Sequence, residues 1–275
     1  MAKQAVAIIP ARYAATRLPG KLIKRDPAGK CLIEYVGAAA QRASRIGRVI
    51  VATDDERILA IAQAAGLEAR MTSPDHTCGT DRVAEVAAGL EAEVIVNCQA
   101  DEPQLRPEMV DQTVALLEAD PECVMSTLAC EVQSEEEFAD PNVVKVVVDG
   151  AGRALYFSRA PIPFWRDRGK GVRNHLCEAP GGPCGQMVPD TFSAIPLRPL
   201  HHIGLYGFRR GFLLEYARLP KTRLEETEKL EQLRALYHGY QIKVGVTPYR
   251  LIGVDTPADF EAFSRRVRGE MRGKS

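Results

Sequence analysis

The sequence predicts an α/β protein with a mainly parallel, doubly wound sheet. Three short apolar runs have the composition of buried strands: Gln4–Pro10, Arg48–Thr53 and Glu93–Cys98. Between them, apolar residues recur at helical spacing over Leu32–Ile46 and over Ile58–Ala65, and Gly66 follows as a helix stop. Strands that alternate with helices favour a parallel sheet flanked by helices. Ligands of such sheets bind beyond the carboxyl ends of the strands, so the residues after each run matter most for function.

The balance of charges limits the kinds of partner. The 275 residues include 36 Lys and Arg and 36 Asp and Glu, so the formal net charge is zero. A neutral chain has no global field with which to hold nucleic acid or an anionic bilayer. No apolar run approaches the roughly 20 residues of a membrane-spanning helix. The seven cysteines are odd in number and form no C-x-x-C pair, which suits a reducing compartment. We therefore expect a cytoplasmic protein without nucleic-acid or membrane partners.

The later part of the chain is richer in β structure. Val143–Val148 and Ala154–Ser158 are β-rich, and Asp149-Gly150 between them has turn chemistry, which predicts a hairpin and a candidate oligomer contact. We expect one domain over residues 1–275, with a β-rich excursion at about 124–208. The other predicted strands are His202–Phe208, Gln241–Val246 and Arg250–Val254. The other predicted helices are Pro107–Ala119, Glu226–His238 and a final helix that begins at Pro257. Thr222 and Glu225 form a capping box before the second of these helices, and Thr256 caps the last.

Three cations follow the first predicted strand within ten positions. Arg12, Arg17 and Lys21 lie in a loop that also contains a Pro-Gly pair and leads into a helix. Arginine binds phosphate through bidentate contacts, lysine adds a compact charge, and glycine lets the backbone approach closely. The loop is not a P-loop, because Ala15 and Leu22 stand where that motif has Gly and Ser or Thr. It predicts a triphosphate site, with a solvated basic loop as the alternative.

Acidic side chains follow two other predicted strands. Asp101 comes after the third strand, and Asp255 comes after the strand predicted over Arg250–Val254. The carboxyl ends of parallel strands meet at one edge of a doubly wound sheet, so residues far apart in sequence can share it. Mg²⁺ takes a few carboxylates together with phosphate oxygens, so this pair opposite a basic loop predicts a metal–nucleotide site. The alternative for each aspartate is a helix N-cap.

Nine runs of the sequence carry a family resemblance. They are IIPARYAATRLPGK (8–21), ATDD (52–55), HTCGTDRVAE (76–85), NCQADEP (97–103), NVVKVVVD (142–149), ALYFSRAPIP (154–163), HIGLYGFR (202–209), LEQLR (230–234) and GVDTPADFE (253–261). Together and in this order they resemble the 3-deoxy-manno-octulosonate cytidylyltransferases, or CMP-Kdo synthetases. No single run is specific, but nine in register are, and the last four distinguish this family from the sialic-acid cytidylyltransferases.

The resemblance implies a fold and a reaction. The fold is a Rossmann-like sheet of the nucleotide-diphospho-sugar transferase type, with a β-rich excursion that binds the sugar and forms a homodimer. In the reaction, the anomeric hydroxyl of 3-deoxy-D-manno-octulosonate (Kdo) attacks the α-phosphorus of CTP, which releases pyrophosphate and leaves CMP-Kdo for lipopolysaccharide synthesis. The reaction requires Mg²⁺.

The resemblance also implies site residues, carried over by position. The catalytic residues are Arg12, Lys21, Asp101 and Asp255, and the Mg²⁺ ligands among them are Asp101 and Asp255. The nucleotide-binding residues are Arg12, Arg17, Lys21, Gly79, Thr80, Arg82 and Gln99. The sugar-binding residues are Arg159, Arg166, His202, Tyr206, Glu231 and Gln232. An arginine suits the sugar carboxylate, and the other side chains suit its hydroxyls.

Several positions depart from the family pattern. The family usually has a serine after the first arginine, but in the matching stretch 13–16 only Thr16 has an aliphatic hydroxyl. Cys78 stands where the family has a serine. Ala100 stands where it has a glycine, so the backbone at this position should have a negative φ. For residues 76–82, the alternative to a nucleotide-binding segment is a helix N-terminus that Thr80 caps. The region 167–199 is longer than usual; it contains His175, Cys177 and Cys184, whose spacing fits no standard zinc site, so an ordinary loop is expected.

Two alternatives to the leading function stay open. One is a cytidylyltransferase for a related acidic sugar, such as 8-amino-Kdo or a nonulosonate. The other is a catalytically silent nucleotide-binding homologue, because Cys78 and Ala100 alter motif positions. The presence of Lys21, Asp101 and Asp255 argues against a silent protein.

Overall fold

The structure is a computed structural model that describes residues 5–13, 18–164, 166 and 199–272. The chain forms two compact units. The first comprises Met1–Ala119, Gly204–Arg218 and Leu251–Ser275, and the second comprises Asp120–Ile203 and Leu219–Arg250. The β-rich excursion expected at about 124–208 falls in the second unit as far as Ile203. The expectation of one domain over residues 1–275, with this excursion as its sugar-binding and dimerisation part, stays a prediction.

The elements are as follows in chain order. The strands are β1 (Ala5–Ala11), β2 (Ile46–Thr53), β3 (Glu68–Met71), β4 (Val94–Asn97), β5 (Met125–Glu131), β6 (Lys145–Val148), β7 (Ala154–Ser158), β8 (Leu200–Arg209) and β9 (Ile242–Val246). The helices are α1 (Leu32–Arg42), α2 (Glu56–Ala64), α3 (Gly79–Ala88), α4 (Pro107–Ala119), α5 (Glu135–Ala139), α6 (Arg210–Tyr216), α7 (Arg223–Glu228), α8 (Leu233–Tyr237) and α9 (Pro257–Arg272).

The first unit is built on a mostly parallel sheet, which confirms the predicted fold class. β1 lies between β2 and β4 and runs parallel to both, and β2 pairs in parallel with β3. Residues Tyr206–Arg209 of β8 pair antiparallel with β4. All seven residues of β1 are buried, as expected for a central strand with helices on both faces. The carboxyl ends of β1 and β4 therefore lie side by side, and the residues that follow them share one edge of the sheet.

Several helix boundaries follow from local capping signals. The Asp55 side chain accepts a hydrogen bond from the backbone N–H two residues later and caps α2. Thr222 forms the predicted capping box at α7, and the Thr256 hydroxyl accepts from the backbone N–H three residues later at the start of α9. These interactions form within a single turn, so the sequence predicts them without tertiary information.

Helix α3 follows the motif over residues 76–82 and includes part of it. Its first residue is Gly79, and its cap is Cys78, whose Sγ accepts from the backbone N–H of Asp81 at 3.4 Å. The predicted alternative, a cap by Thr80, is therefore wrong. Sulfur is a weak acceptor, so Cys78 fills the position of a capping hydroxyl with a weaker hydrogen bond.

The second unit is a smaller mixed assembly of strands and short helices. β5 pairs in parallel with β9, and β6 pairs antiparallel with β7. The first residues of β8, Leu200 and His201, extend the β6 edge in antiparallel register. The hairpin predicted from Asp149-Gly150 is confirmed: Asp149 Oδ1 accepts from the backbone N–H groups of Ala151 and Arg153 and closes the turn.

The helix predicted over Glu226–His238 is wrong as a single element. Lys229 has φ 54° and ψ 47°, in the left-handed region, and it ends α7. Leu230 and Leu233 are both buried, so the apolar spacing that suggested one helix is real. An L-residue in the left-handed region interrupts an α-helix, and apolar spacing alone does not report that local change in backbone conformation.

The strand predicted over Arg250–Val254 is also wrong, because these residues form no strand. The Val254 N–H instead donates a single hydrogen bond to the carbonyl of Asp101, at 2.9 Å. Four elements were not predicted at all: β3, β5, α5 and α6. Of these, β3 and α5 have only four and five residues, too few to establish a period.

Part of the chain that the sequence singled out lies outside the described residues. This applies to Arg17, Thr16 and residues 167–198, which include His175, Cys177 and Cys184. Within the part that the structure describes, no helix is both long and apolar enough to cross a membrane.

Candidate active site

One buried lysine joins the two aspartates that the sequence expected at one edge of the sheet. The Lys21 ammonium lies 2.7 Å from Asp101 Oδ2 and 2.8 Å from Asp255 Oδ1. These residues are 80 and 234 positions from Lys21 in the sequence, and all three belong to the first unit. Lys21 is buried, whereas about a third of each aspartate side chain is exposed. The carboxylates can thus receive a ligand from solvent while they share one cation.

The backbone holds this cluster in place from three directions. Lys21 sits in a turn in which its own N–H donates to the Leu18 carbonyl at 3.2 Å. Asp101 follows β4, and its carbonyl accepts from Val254, so the chain just before Asp255 is fastened beside it. The cap of α9 is Thr256 and not Asp255, which disfavours the capping alternative for that aspartate.

The arrangement has the donor set that a hard divalent cation prefers. Asp101 and Asp255 direct oxygens at one cation position, and Mg²⁺ in nucleotide sites is bound through one or two carboxylates plus substrate phosphates. The described residues contain no group of three or more His, Cys, Asp or Glu side chains that could hold a metal by themselves. A magnesium ion here would therefore need oxygens from a bound phosphate as well.

Glu102 is a neighbour of this cluster that sequence reasoning missed. The residue is half-buried, but its Oε2 is enclosed and has no hydrogen-bond partner among the described residues. Burial, and then the charges of Asp101 and Asp255, raise the pKa of Glu102 to about 8. The surroundings of Glu102 therefore favour its neutral form at neutral pH. The only available signal was its place next to Asp101.

The described part of the basic loop packs around one tyrosine. Gly20 has φ 70°, and a Cβ there would lie 3.4 Å from the Tyr13 ring. The Arg57 guanidinium stacks 3.5 Å from the centroid of the same ring, and Asp55 pairs with Arg57. Arg12 is exposed. The turn thus contains a left-handed backbone position that favours glycine. It also contains the buried Lys21, and the exposed Arg12 lies nearby in the same loop.

Close packing accounts for Gly79 near the predicted nucleotide site, and backbone conformation accounts for Ala100. A Cβ on Gly79 would lie 3.3 Å from Pro10 Cγ, so the start of α3 approaches the end of β1 more closely than most side chains allow. Thr80 is buried just beyond it. Ala100, which replaces the family glycine, is buried and does not have positive φ, so its methyl group introduces no backbone strain.

The Arg82 side chain is buried and paired with groups inside the protein. Its side chain is 3% exposed; Nη2 donates to Asp54 Oδ2 at 2.9 Å and Nη1 binds Thr72. The other oxygen of Asp54 is enclosed without a hydrogen-bond partner among the described residues. The structure therefore places the Arg82 guanidinium where it fixes the segment before α3. Whether this segment contacts a nucleotide stays a prediction.

Gln99 and Tyr206 flank a buried asparagine at the end of β4. Gln99 Nε2 donates to Asn97 Oδ1 at 3.3 Å, and Tyr206 on β8 pairs in register with Asn97. The Asn97 amide nitrogen is enclosed and has no partner in the described part of the chain. An unpaired buried donor costs about 1–3 kcal/mol, so a ligand acceptor or an ordered water that reached it would be favoured.

Arg159 belongs to the second unit and is held mainly by backbone carbonyls. Nε donates to the Glu228 carbonyl at 2.6 Å, Nη1 to the Pro141 carbonyl at 2.9 Å and Nη2 to the Lys229 carbonyl at 3.5 Å. A guanidinium carries five N–H groups, so these three bonds leave one N–H on each terminal nitrogen. Two N–H groups are what a bidentate contact with a carboxylate requires.

The other predicted sugar-binding residues of the second unit differ in exposure. Gln232 is buried at the start of α8, and its Nε2 has no hydrogen-bond partner among the described residues. Glu231 is half-buried beside it, and Arg166 is exposed. Arg159 and Glu231–Gln232 are connected through Glu228 and Lys229, whose carbonyls bind Arg159. The structure thus brings the arginine and the α7–α8 turn together, whereas Arg166 has no hydrogen bond or ion pair with another residue that the structure describes.

His202 lies inside the second unit. Its ring packs edge-on against Phe157, with centroids 5.0 Å apart, and its Nε2 is 3.1 Å from the Thr127 hydroxyl. Burial, and then the neighbouring His201, lower the pKa of His202 to about 3. The imidazole is therefore neutral at physiological pH, and one of its nitrogens is already engaged with Thr127.

The pKa of His202 predicts a dependence of stability on pH. The unfolded chain takes up a proton near pH 6.5, while the folded chain does not until about pH 3, so acid favours unfolding between these values. The free energy of unfolding should fall by about 2 kcal/mol more in wild type than in His202→Gln between pH 7 and pH 5. Denaturant titrations at pH 7 and pH 5 measure the free energy of unfolding of both proteins. If the two proteins lose the same free energy between these pH values, the prediction is wrong.

Comparisons with known proteins assign the family. Residues 6–243 match the cytidylyltransferase family. A 3-deoxy-manno-octulosonate cytidylyltransferase from Trichlorobacter lovleyi is 47% identical over 265 residues, which cover 96% of this chain and 99% of that protein. This chain belongs to the 3-deoxy-manno-octulosonate cytidylyltransferase family. A second member, from Geobacter sulfurreducens, is 45% identical over 262 residues and covers 95% of this chain and 98% of its own length.

Solved structures agree with the assignment to the 3-deoxy-manno-octulosonate cytidylyltransferases. A CMP:2-keto-3-deoxy-manno-octonic acid synthetase complexed with CTP has a TM-score of 0.83 at 37% identity, and the match covers 97% of this chain and 99% of that one. A 4-diphosphocytidyl-2C-methyl-D-erythritol synthase from Anaerococcus prevotii has a TM-score of 0.58 at 14% identity. The second match shows the shared fold only. The nine runs therefore led to the correct family.

Proposed function

We propose that this protein is a CTP:3-deoxy-D-manno-octulosonate cytidylyltransferase that makes CMP-Kdo. The observation that carries the proposal is the cluster of Lys21 with Asp101 and Asp255, in a chain that belongs to this family over nearly its full length. A silent homologue would not need to keep a buried lysine between two solvent-accessible carboxylates. A related acidic sugar remains the alternative substrate, and the sugar itself is a variable of the experiment below.

In the proposed reaction, the Kdo hydroxyl oxygen forms a bond to the α-phosphorus of CTP while the bond from that phosphorus to the bridging oxygen breaks. Pyrophosphate leaves with the electron pair, and the hydroxyl proton passes to solvent. Lys21 and the exposed Arg12 bind and orient the triphosphate and stabilise the negative charge that develops on it. Arg159 orients the sugar through a carboxylate contact of its two remaining N–H groups.

Asp101 and Asp255 are the residues that would hold Mg²⁺. When bound, Mg²⁺ neutralises phosphate charge and polarises the reacting phosphoryl group as a Lewis acid. The two aspartates keep their carboxylates available because Lys21 balances their charge without enclosing them. Burial beside these aspartates raises the pKa of Glu102 and disfavours its charged form.

We further propose that the protein is a cytoplasmic homodimer whose product enters lipopolysaccharide synthesis. β7 exposes Leu155 on the β6–β7 hairpin, and Val246 of β9 is exposed in the same unit, which supports an apolar contact there. Light scattering of the purified protein should give twice the mass of one chain. A monomer at micromolar concentration would contradict the dimer but not the proposed reaction.

Turnover measures the proposed function directly. Purified protein with CTP, Mg²⁺ and Kdo should release pyrophosphate, and mass spectrometry should identify CMP-Kdo as the second product. Parallel reactions replace CTP with ATP or GTP, and Kdo with 8-amino-Kdo or a nonulosonate. A site that hydrogen-bonds cytosine leaves polar groups unpaired against a purine, so CTP should be strongly preferred. Equal rates with ATP, or faster turnover of another sugar, would overturn the assignment of that substrate.

Arg159→Lys should raise the KM for Kdo or lower kcat by roughly 10- to 100-fold while the KM for CTP stays close to wild type. Lysine keeps the charge but lacks the planar pair of donors, and a charge-assisted contact contributes about 1.5–3 kcal/mol. Initial rates at varied Kdo and varied CTP separate the two constants. A weakened KM for CTP with unchanged Kdo kinetics would assign Arg159 to the nucleotide instead.

A further inference from the structure

Glu228, the last residue of α7, contacts the end of β7 with both its side chain and its backbone. Its Oε1 accepts from the Ser158 hydroxyl at 2.6 Å, and its Oε2 accepts from the Arg159 backbone N–H at 2.9 Å. Its carbonyl accepts from Arg159 Nε at 2.6 Å. One residue therefore fixes both the main chain and the guanidinium of Arg159.

A buried lysine completes the support of Arg159 from the other side. Lys145 Nζ donates to three carbonyls: to Asp140 at 2.9 Å, to Val143 at 2.5 Å and to Arg159 at 2.7 Å. Lys145 is fully buried, and an ammonium has three N–H groups, so this set uses all of them. The backbone of Arg159 is thus bound at its N–H by Glu228 and at its carbonyl by Lys145.

The α7–α8 turn connects Glu228 to the second part of the predicted sugar site. Lys229 follows in the left-handed conformation, and Glu231 and Gln232 come after one further residue, Leu230. The Lys229 carbonyl is also a partner of Arg159. A non-glycine residue with positive φ is unfavourable and persists where surrounding contacts hold it. The contacts of Glu228 with Ser158 and Arg159 join this turn to the end of β7.

We infer that Glu228 is a positioning residue for sugar recognition, which acts by fixing Arg159 relative to the turn that carries Glu231 and Gln232. This inference rests on the proposed function, because it concerns the sugar site of that reaction. In this role the Glu228 carboxylate does not contact the sugar itself. Its two oxygens are already used by Ser158 and Arg159, so its effect reaches the substrate through the arginine.

Glu228→Gln tests the inference with almost no change in shape. A glutamine has one acceptor oxygen, so it can keep the Arg159 N–H only if the Ser158 hydroxyl, which already accepts from the Ala160 N–H, turns to accept from its amino group as well. We expect the KM for Kdo to rise about tenfold, since small misplacements of a binding group weaken a bidentate contact. The KM for CTP should stay within about twofold, because that site lies in the other unit. Glu226→Gln, an exposed glutamate on the same short helix, is the matched control and should behave as wild type.

A double-mutant cycle separates positioning from a general structural role. In an Arg159→Lys background the group that Glu228 positions is absent, so Glu228→Gln should add little to the KM for Kdo. A purely structural role would add its full effect in both backgrounds, which would overturn the inference, as would an unchanged KM for Kdo in a folded Glu228→Gln protein. If that variant does not fold, Ser158→Ala removes one of the two contacts and takes its place in the cycle. Absence of any turnover of Kdo by wild type would instead refute the proposed function.

Discussion

Asparagine in place of Asp101 or of Asp255 is expected to lower kcat by about 100-fold or more at ordinary Mg²⁺ concentrations. The amide removes a negatively charged oxygen from the position where both carboxylates meet one cation. Thermal stability should change little, on the order of 1 kcal/mol, because Lys21 keeps the other aspartate and both aspartates are partly exposed. Steady-state rates and thermal unfolding measure the two effects on the same preparations.

A comparable substitution elsewhere shows that the effect belongs to the site. Asp111 on α4 accepts from the backbone N–H groups of Ser44 and Arg45, so Asp111→Asn also weakens hydrogen bonds of an aspartate, away from Lys21. It should leave kcat unchanged. A titration with Mg²⁺ adds a second readout, because loss of a ligand raises the Mg²⁺ concentration needed for half-maximal rate. If either site variant keeps wild-type kcat and the wild-type Mg²⁺ requirement, that aspartate is not a metal ligand.

Lys21→Met should reduce kcat by roughly 100- to 1,000-fold, the effect typical of removing one preorganised group that stabilises developing charge. Methionine has a similar length, so the change removes the charge and leaves the packing of a buried position largely filled. It also leaves two carboxylates that face each other without their shared cation. Divalent cations should therefore raise the melting temperature of Lys21→Met more than that of wild type.

The matched control for this lysine lies three residues away in the same loop. Lys24 is exposed, and its ammonium lies 4.4 Å from the centroid of the Phe260 ring. Lys24→Met should keep wild-type kcat and the wild-type response of the melting temperature to Mg²⁺. Near-normal turnover by Lys21→Met at saturating CTP would show that the ammonium has only a structural role between the aspartates.

The strong local signals of the sequence predicted much of the fold correctly. Pro107 at the first position predicted the start of α4, and Asp149-Gly150 predicted the β6–β7 hairpin. The caps at Thr222 and Thr256 formed as predicted. Each of these features depends on residues a few positions apart, so the chain's own short-range chemistry decides it. The apolar runs gave the parallel sheet for a related reason, since strands buried on both faces must be continuously apolar.

Other predictions failed where the deciding partner is remote in sequence. The pattern over Glu226–His238 could not show that Glu228 binds β7 and that the helix ends at Lys229. Arg250–Val254 has strand composition, but Val254 meets the Asp101 carbonyl and not a neighbouring strand. Apolar periodicity reports which residues are buried, whereas the pairing that makes a helix continue or a strand form is a property of the assembled chain.

The sequence by itself determined the family, the mostly parallel sheet and which charged residues were candidates for the site. Nine short runs in register sufficed for the family, because a family is defined by residue types in order along the chain. Only the tertiary structure decided how those candidates are used. It placed Lys21 between Asp101 and Asp255 and enclosed one oxygen of Glu102, so that the pKa of Glu102 rises. It also paired Arg82 with Asp54 and held Arg159 through Glu228. Burial and hydrogen bonding between residues that are distant in sequence set these properties, and they exist only once the chain has folded.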